Sequence, residues 1–190
     1  MALAPTTVTV LPEEYLQGEH SSDVKHEYDN GYVFAMVGAS RAHNLIALTV
    51  ASEMKQHLKG KPCRSYMSDM KVRIQTKGND LFYYPDVMVS CDDQPPSEYY
   101  EERPVLIVEV LSPSTETRDK LEKLAAYSSI SSLLEYFTIA QDRVEIGRYT
   151  MAEGQTILTQ YGDGDTVEFS SIGLSIPVKD IYADVAGKLL

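Results

Sequence analysis

The strongest constraint in this chain is a carboxylate set in the middle of an apolar run. Residues 104–111 read PVLIVEVL, a composition suited to a strand that is covered on both faces. Side chains alternate along a strand, so Glu109 shares a face with Val105, Ile107 and Leu111. Leu106, Val108 and Val110 point the other way. An ionised carboxylate in that setting costs on the order of several kcal/mol unless a cation or a metal compensates it.

A second carboxylate has a related setting. Asp86 lies in FYYPDVMVS, residues 82–90, where alternation puts it on one face with Tyr84 and Met88. It follows Pro85, which cannot donate to a ladder and marks an edge, a bulge or a strand end. Strands joined by a loop are usually neighbours. The connection from about Cys91 to Arg103 is long enough for either pairing sense, so both acids can reach one rim. Two readings follow. In one, Asp86 and Glu109 are unrelated ion-pair partners. In the other they form a hard-cation site, with carboxylate and backbone oxygens around Mg²⁺ and room for water and a phosphate.

At 190 residues the chain suits one domain, residues 1–190, with a sizeable core. Apolar content of 43% and charged content of 24% are ordinary for a soluble globular protein. No run approaches the length of a membrane span. The opening MALAPTTVTVLPEEY has neither a basic n-region nor a long apolar core, so a signal peptide is not expected. Cys63 and Cys91 show no metal-ligand spacing and no disulfide framework, which suits a reducing cytoplasm.

A net charge of −11 argues against a general nucleic-acid binder. The charge is uneven, however. Lys55, Lys59, Lys61, Arg64, Lys71, Arg73 and Lys77 stand against Asp69 alone, and an all-acidic stretch from Asp80 to Glu102 follows. A basic segment on an acidic body can meet a phosphate backbone, with strong salt dependence, or can be a solvated surface with no partner.

Pro12, Glu13 and Glu14 predict a short helix over Leu11–Gly18. HEYDNGYVFAMV predicts a hairpin turning at Asn30-Gly31, with Glu27 a candidate acid near the site or a plain surface charge. Ser40 can cap a helix to about Lys59, stopped by Gly60 and buried along Ile46, Val50, Met54 and Leu58. His43, in its first turn, can touch substrate or a carboxylate, or be structural. One strand is expected over Arg64–Ile74, and the acidic loop 92–102 is expected at the surface. After Ser112-Pro113, one of Ser114, Thr115, Thr117 or Asp119 can cap a helix to about Ser129, with Leu121, Leu124 and Ala125 as its apolar stripe. Strands follow over Leu133–Ile139, Val144–Tyr149, Thr156–Gln160 and Val167–Phe169, the last three as a β-meander. A short helix is expected over Ile181–Leu190. The class is α+β.

The phrases YYPDVMVSCD, PVLIVEVLSPSTETRDKLEK and SLLEYFTIAQD resemble a bacterial family described as putative restriction endonucleases, within the PD-(D/E)XK nuclease superfamily. The similarity runs from about His26 to Tyr182. It implies a restriction-endonuclease-like core of helix, three strands, helix and strand, extended here by the meander. It also implies a metal-dependent DNA endonuclease. Asp86, Glu109 and the carbonyl of Val110 would hold Mg²⁺ or Mn²⁺. The superfamily lysine belongs two residues after the glutamate, where this chain has Leu111. The closer family carries it on the following helix, which implies Lys123. Helical spacing alone does not choose Lys123, since Lys120 borders the apolar stripe. Tyr127, one turn beyond Lys123, can bond to the assembly or be a core tyrosine. A homodimer would suit double-strand cutting. The competing expectation is a non-catalytic nuclease-fold protein serving assembly, regulation or nucleic-acid binding, favoured by Leu111 and the acidic surface.

Overall fold

A computed structural model describes residues 9–76, 78–113, 116–152 and 155–185. Helix α1 (Pro12–His20) leads into a hairpin of β1 (His26–Asp29) and β2 (Tyr32–Ala35). The turn between them needs left-handed backbone, supplied by Asn30 at φ 46° and Gly31 at φ 95°. Helix α2 (Arg41–His57) starts as its sequence requires: the Ser40 hydroxyl accepts the amide of His43 at 3.1 Å. Six strands follow: β3 (Arg64–Met67), β4 (Lys71–Thr76), β5 (Asn79–Tyr83), β6 (Val87–Ser90), β7 (Tyr100–Glu101) and β8 (Pro104–Leu111).

These strands divide between two sheets. One has the order β2-β1-β5-β4-β7. The other runs β3-β6-β8 and continues into β9 (Glu135–Ala140), β10 (Ile146–Ala152) and β11 (Gln155–Tyr161). The chain changes sheet twice at one place. It leaves β3 for β4 through Ser68, which takes φ 52°, and it leaves β5 for β6 through Tyr84-Pro85-Asp86. The two crossings are tied together, since the Ser68 amide lies 3.2 Å from the carbonyls of Pro85 and Asp86. The single strand expected over Arg64–Ile74 is therefore two strands in different sheets. Likewise Phe82–Ser90 is not one strand: Pro85 has no amide to give a ladder, and Asp86 sits in the break rather than on a face shared with Tyr84 and Met88.

The expected core order holds within the second sheet, where α2 is followed by β3, β6 and β8, a helical crossover, and β9. β6 and β8 are antiparallel, with Val87 opposite Val108, and β8 and β9 are parallel, with Glu109 opposite Thr138. The crossover consists of α3 (Glu116–Arg118), a π-helical turn (Asp119–Lys123) and α4 (Leu124–Tyr127). Ser114 and Thr115, two of its expected caps, lie outside the described residues. Of the expected meander only β10 and β11 pair with each other, β10 also pairing with β9, while β12 (Thr166–Phe169) pairs with β13 (Leu174–Pro177), a strand not expected from the sequence. The last helix, α5 (Val178–Ile181), begins earlier than predicted; residues 186–190 lie outside the described residues. The acidic loop is not all surface: it contributes β7, which runs parallel to β4 and buries Glu101.

Alternation along β8 separates two cores. Leu106, Val108 and Val110 join Ile46, Val50 and Met54 of α2 on one face, with Phe137 and Phe169. Ile107 faces the other way, toward Val72, Ile74, Tyr83, Tyr127 and Tyr136, in the space between the sheets. On the outside of the first sheet, α1 packs Tyr15 against Tyr28 and Phe82. Glu109 falls on the inter-sheet face, as alternation requires.

Cys63 and Cys91 form a disulfide, which overturns the reading of unpaired cysteines. They extend the β3–β6 ladder by one step beyond Arg64 and Ser90, so strand register alone brings them together. The argument for a reducing compartment falls with it. Among the described residues no helix is long and apolar enough to cross a membrane. The bond closes a loop with a sequence separation of 28 residues, so replacing both cysteines with serine is expected to lower stability by about 3 to 4 kcal/mol on the chain-entropy account. Denaturant midpoints check this, with thiol alkylation before and after reduction as the direct assay of the bond.

Candidate active site

The site is assembled from five parts of the chain: β1, α2, the break before β6, β8 and the helical crossover. Asp86 is held at the start of β6 by its neighbours on both sides. One carboxylate oxygen accepts the amide of Val110 at 2.7 Å, and the other lies 2.8 Å from Nε2 of His43. β6 begins only at Val87, so the edge of β8 beyond Val108 has no backbone partner there, and the Asp86 side chain takes its place. The amide and carbonyl of one strand residue point to the same side. The carbonyl of Val110 therefore faces this end of β6 as well.

Glu109 is 4% exposed and engaged from the helical crossover. Its Oε1 accepts from Lys123 Nζ at 2.9 Å and from the Tyr127 hydroxyl at 2.7 Å. Lys123 is itself buried and surrounded by acids. Glu27 Oε1 lies 3.1 Å from its ammonium, an ion-pair distance without hydrogen-bond alignment, and Asp119 Oδ1 lies 3.5 Å away. The face of the Tyr83 ring lies beneath the same ammonium, 5.6 Å to its centroid. Arg118 completes the group, donating to the other oxygen of Glu27 at 2.7 Å while resting over Tyr83 and Phe34.

The crossover helix keeps only part of the expected pattern, Leu124 packing against the inter-sheet core. Leu121, placed in the apolar stripe, is 65% exposed, and the buried face carries Asp119, Lys123 and Tyr127 instead. Those residues are four apart, so they stack on one side of a helix. The extra residue of the π-turn, spanning Asp119–Lys123, reorients that side. A polar face turned inward is stable only because the inter-sheet space offers Glu109 and Glu27 as partners. Lys120, the other candidate, points elsewhere and pairs with Glu116 at 2.8 Å and Glu145 at 2.9 Å.

Electrostatics follow from this crowding. Burial pushes the Glu109 carboxyl above the usual carboxylate range, and Asp86 and Asp119 push the same way, while the Lys123 ammonium and the Tyr127 hydroxyl oppose them. Burial alone would lower Lys123, but Glu109, Glu27 and Asp119 outweigh it and hold the ammonium above the ordinary lysine range. Burial, and then the charge of Glu109, raise the Tyr127 hydroxyl well above its usual value. Tyr127 therefore acts here as a hydrogen-bond donor.

All the sequence-derived candidates meet: Asp86 with His43 and Val110, and Glu109 with Lys123, Tyr127 and Glu27. The two halves adjoin along β8, where Asp86 accepts the amide of Val110, the residue next to Glu109. Sequence reasoning missed Arg118 and Asp119. Asp119 was within reach, lying one helical step before Lys123 as Tyr127 lies one after. Arg118 had no local signal, because its partner Glu27 is distant in the chain. Among the described residues no three His, Cys, Asp or Glu side chains converge as a ready-made metal cage. Two carboxylates and the Val110 carbonyl are the oxygen donors this rim offers, a set suited to a hard cation that keeps several waters.

Comparison with known proteins bears on the fold and the family. The fold is shared with a structure titled as a putative nuclease belonging to DUF820, from Anabaena variabilis, which superposes with a TM-score of 0.72 at 18% identity, covering 90% of this chain and 96% of that one. The profile of the Uma2 family, described as "Putative restriction endonuclease", matches residues 12–179, and the chain belongs to that family. Two Synechocystis proteins named as uncharacterized are similar along most of their length. One, slr1290, is 38% identical over 177 residues, covering 92% of each chain. The other, sll1609, is 30% identical over 175 residues, covering 90% of this chain and 98% of its own. The family resemblance and the α+β nuclease-like fold expected from the sequence are thus both met.

The buried position of Lys123 separates it from Lys120 in stability as well as geometry. Lys123→Met leaves Glu109 and Glu27 without their shared cation and is expected to cost about 3 kcal/mol or more. Lys120→Met removes only partly exposed pairs and is expected to cost about 1 kcal/mol or less. Urea midpoints of the two variants check the difference.

Proposed function

We propose that this protein is a metal-dependent DNA endonuclease. The observation that carries the reading is Lys123 Nζ at 2.9 Å from Glu109 Oε1, reached from a helix because the strand position two residues on is Leu111. This rebuilds the acid–acid–lysine group of the superfamily with its cation supplied from another element. Asp86, Glu109 and the Val110 carbonyl would hold Mg²⁺ or Mn²⁺. When bound, such an ion supplies Lewis-acid charge for the phosphate and acidifies water.

The protein's own groups have separate tasks. His43 and the Val110 amide fix both oxygens of Asp86, so its orientation is set before any ligand arrives. Tyr127 holds Glu109 from the core side. Arg118 takes one oxygen of Glu27 and so keeps part of that acid's charge from Lys123. The Lys123 ammonium then stands beside the reacting phosphate, where it stabilises charge as the fifth oxygen arrives.

A second reading has one observation in its favour. Three acids already surround Lys123, which also describes a structural ion cluster in a nuclease-fold protein that cuts nothing. Titration calorimetry and plasmid nicking separate the two. The nuclease reading expects Mg²⁺ or Mn²⁺ binding that Asp86→Ala or Glu109→Ala removes. It also expects metal-dependent nicking that Lys123→Met abolishes in protein shown by circular dichroism to be folded, and that Lys120→Met retains. Metal binding without cleavage of supercoiled, linear or single-stranded DNA supports the non-catalytic reading. Absence of metal binding ends the nuclease reading.

A further inference from the structure

The basic residues of the middle of the chain do not share one fate. Lys71 is buried against the Tyr84 hydroxyl at 3.2 Å, and Arg73 is paired with Asp80 and Glu102. Lys77 lies outside the described residues. Lys55, Lys59, Lys61 and Arg64 remain, and all four line one groove, of about 930 Å³, between α2 and the edge strand β3. No acid lines this groove, in a chain of net charge −11. Among the described residues none of the four cations has a carboxylate within ion-pair distance. Lys61 bonds instead to His57 at 2.7 Å, and Arg64 to the carbonyls of Lys61 and Pro62 at 2.8 and 2.7 Å.

The groove leads to the candidate site along both of its walls. One wall is α2, whose first turn places His43 on Asp86 and whose last turn carries Lys55, with Lys59 in the turn just beyond the helix. The other is β3, with Arg64 at its far end and Met67 at its near end. Met67 is followed directly by Ser68, whose amide reaches the Asp86 carbonyl. From Leu48 to His57 the helical wall is about 14 Å long at 1.5 Å per residue. That is the length of about four nucleotides of one DNA strand at 3.4 Å each.

We propose that this groove is the track for the DNA phosphate backbone, delivering the strand to the rim where Asp86 and Glu109 stand. The proposal rests on the nuclease reading of that rim and adds the path of the substrate. Charge complementarity favours a polyanion. Both walls run toward the Asp86 end of β6, which favours one that must also reach the acids. An acidic peptide added to the open edge of β3 would satisfy the first condition and not the second.

The test is fluorescence anisotropy of a labelled 20-base-pair duplex of mixed sequence, in EDTA, over about 50 to 200 mM salt. Each lost phosphate contact should flatten the slope of log K against log salt by about 0.9. Lys55→Ala with Lys59→Ala is therefore expected to reduce the slope by about 2. Adding Lys61→Ala and Arg64→Ala should bring the reduction to between about 3 and 4, with roughly a hundredfold loss of affinity at 100 mM salt. Thermal melts and the Mg²⁺ isotherm of each variant report whether fold and rim are intact. Unchanged duplex affinity and slope in both variants overturn the track while leaving the nuclease reading to its own metal and nicking assays. So does wild-type protein that fails to bind the duplex. Poly-glutamate bound by wild type and lost in the variants, with duplex binding unaffected, overturns it in favour of an acidic partner.

Discussion

One buried ammonium holds the cluster between the two sheets together. Lys123 is almost inaccessible to water and takes its compensation from Glu109, Glu27 and Asp119. None of these groups is stable in place without the others. Glu109 belongs to a strand that is apolar on both faces, and Glu27 to the hairpin of the opposite sheet. Removing water from such charges costs on the order of several kcal/mol each. The inter-sheet space therefore tolerates them only as a set. The crossover helix is bound to turn its polar side inward and leave Leu121 in solvent.

A buried carboxylate in this same sheet shows what a purely structural solution looks like. Glu135, on β9, is 1% exposed. It is met by the Arg148 guanidinium at 2.6 Å and by the amides of Ser170 and Ser171. One arginine and two backbone amides engage both of its oxygens, and among the described residues no second acid is paired with that arginine. Around Glu109 the carboxylates outnumber the cations, and Asp86 and Asp119 both raise its affinity for a proton. An excess of acid at a rim is what a divalent ion neutralises, and a closed structural pair has no need of one. The contrast between two glutamates in one sheet is the best physical ground for treating the first as functional.

The sequence disclosed the site more fully than the topology. Glu109 was visible because a charge inside PVLIVEVL violates local expectation, and Asp86 because a proline precedes it. Lys123 was not legible from its helix. An amphipathic pattern assumes that the buried side is apolar, and that assumption fails wherever the core itself contains acids. The sheet crossings were missed for a different reason. Alternation is clean only over Asp69–Ile74, and the break in it before Ser68 does not by itself say that this residue takes φ 52° and changes sheets. The Cys63–Cys91 bond was hidden because it depends on the register of β3 against β6, a long-range fact. Arg118 is the same case, chosen by a hairpin acid far away in the chain.

Moving the cation from strand to helix changes what its position depends on. A lysine at position 111 would be placed by the β8 backbone itself, rigid through its pairing with β9. Leu111 instead packs with 3% exposure, and the ammonium stands only as accurately as the crossover docks. That docking has its own fasteners. Tyr136 of β9 donates to the carbonyl of Asp119 at 3.0 Å, and its ring lies 5.2 Å from that of Tyr127, whose hydroxyl is committed to Glu109. Strand, helix and next strand are thus joined through two tyrosines around one carboxylate. The two rings do for the helix-borne lysine what the peptide backbone would do for a strand-borne one.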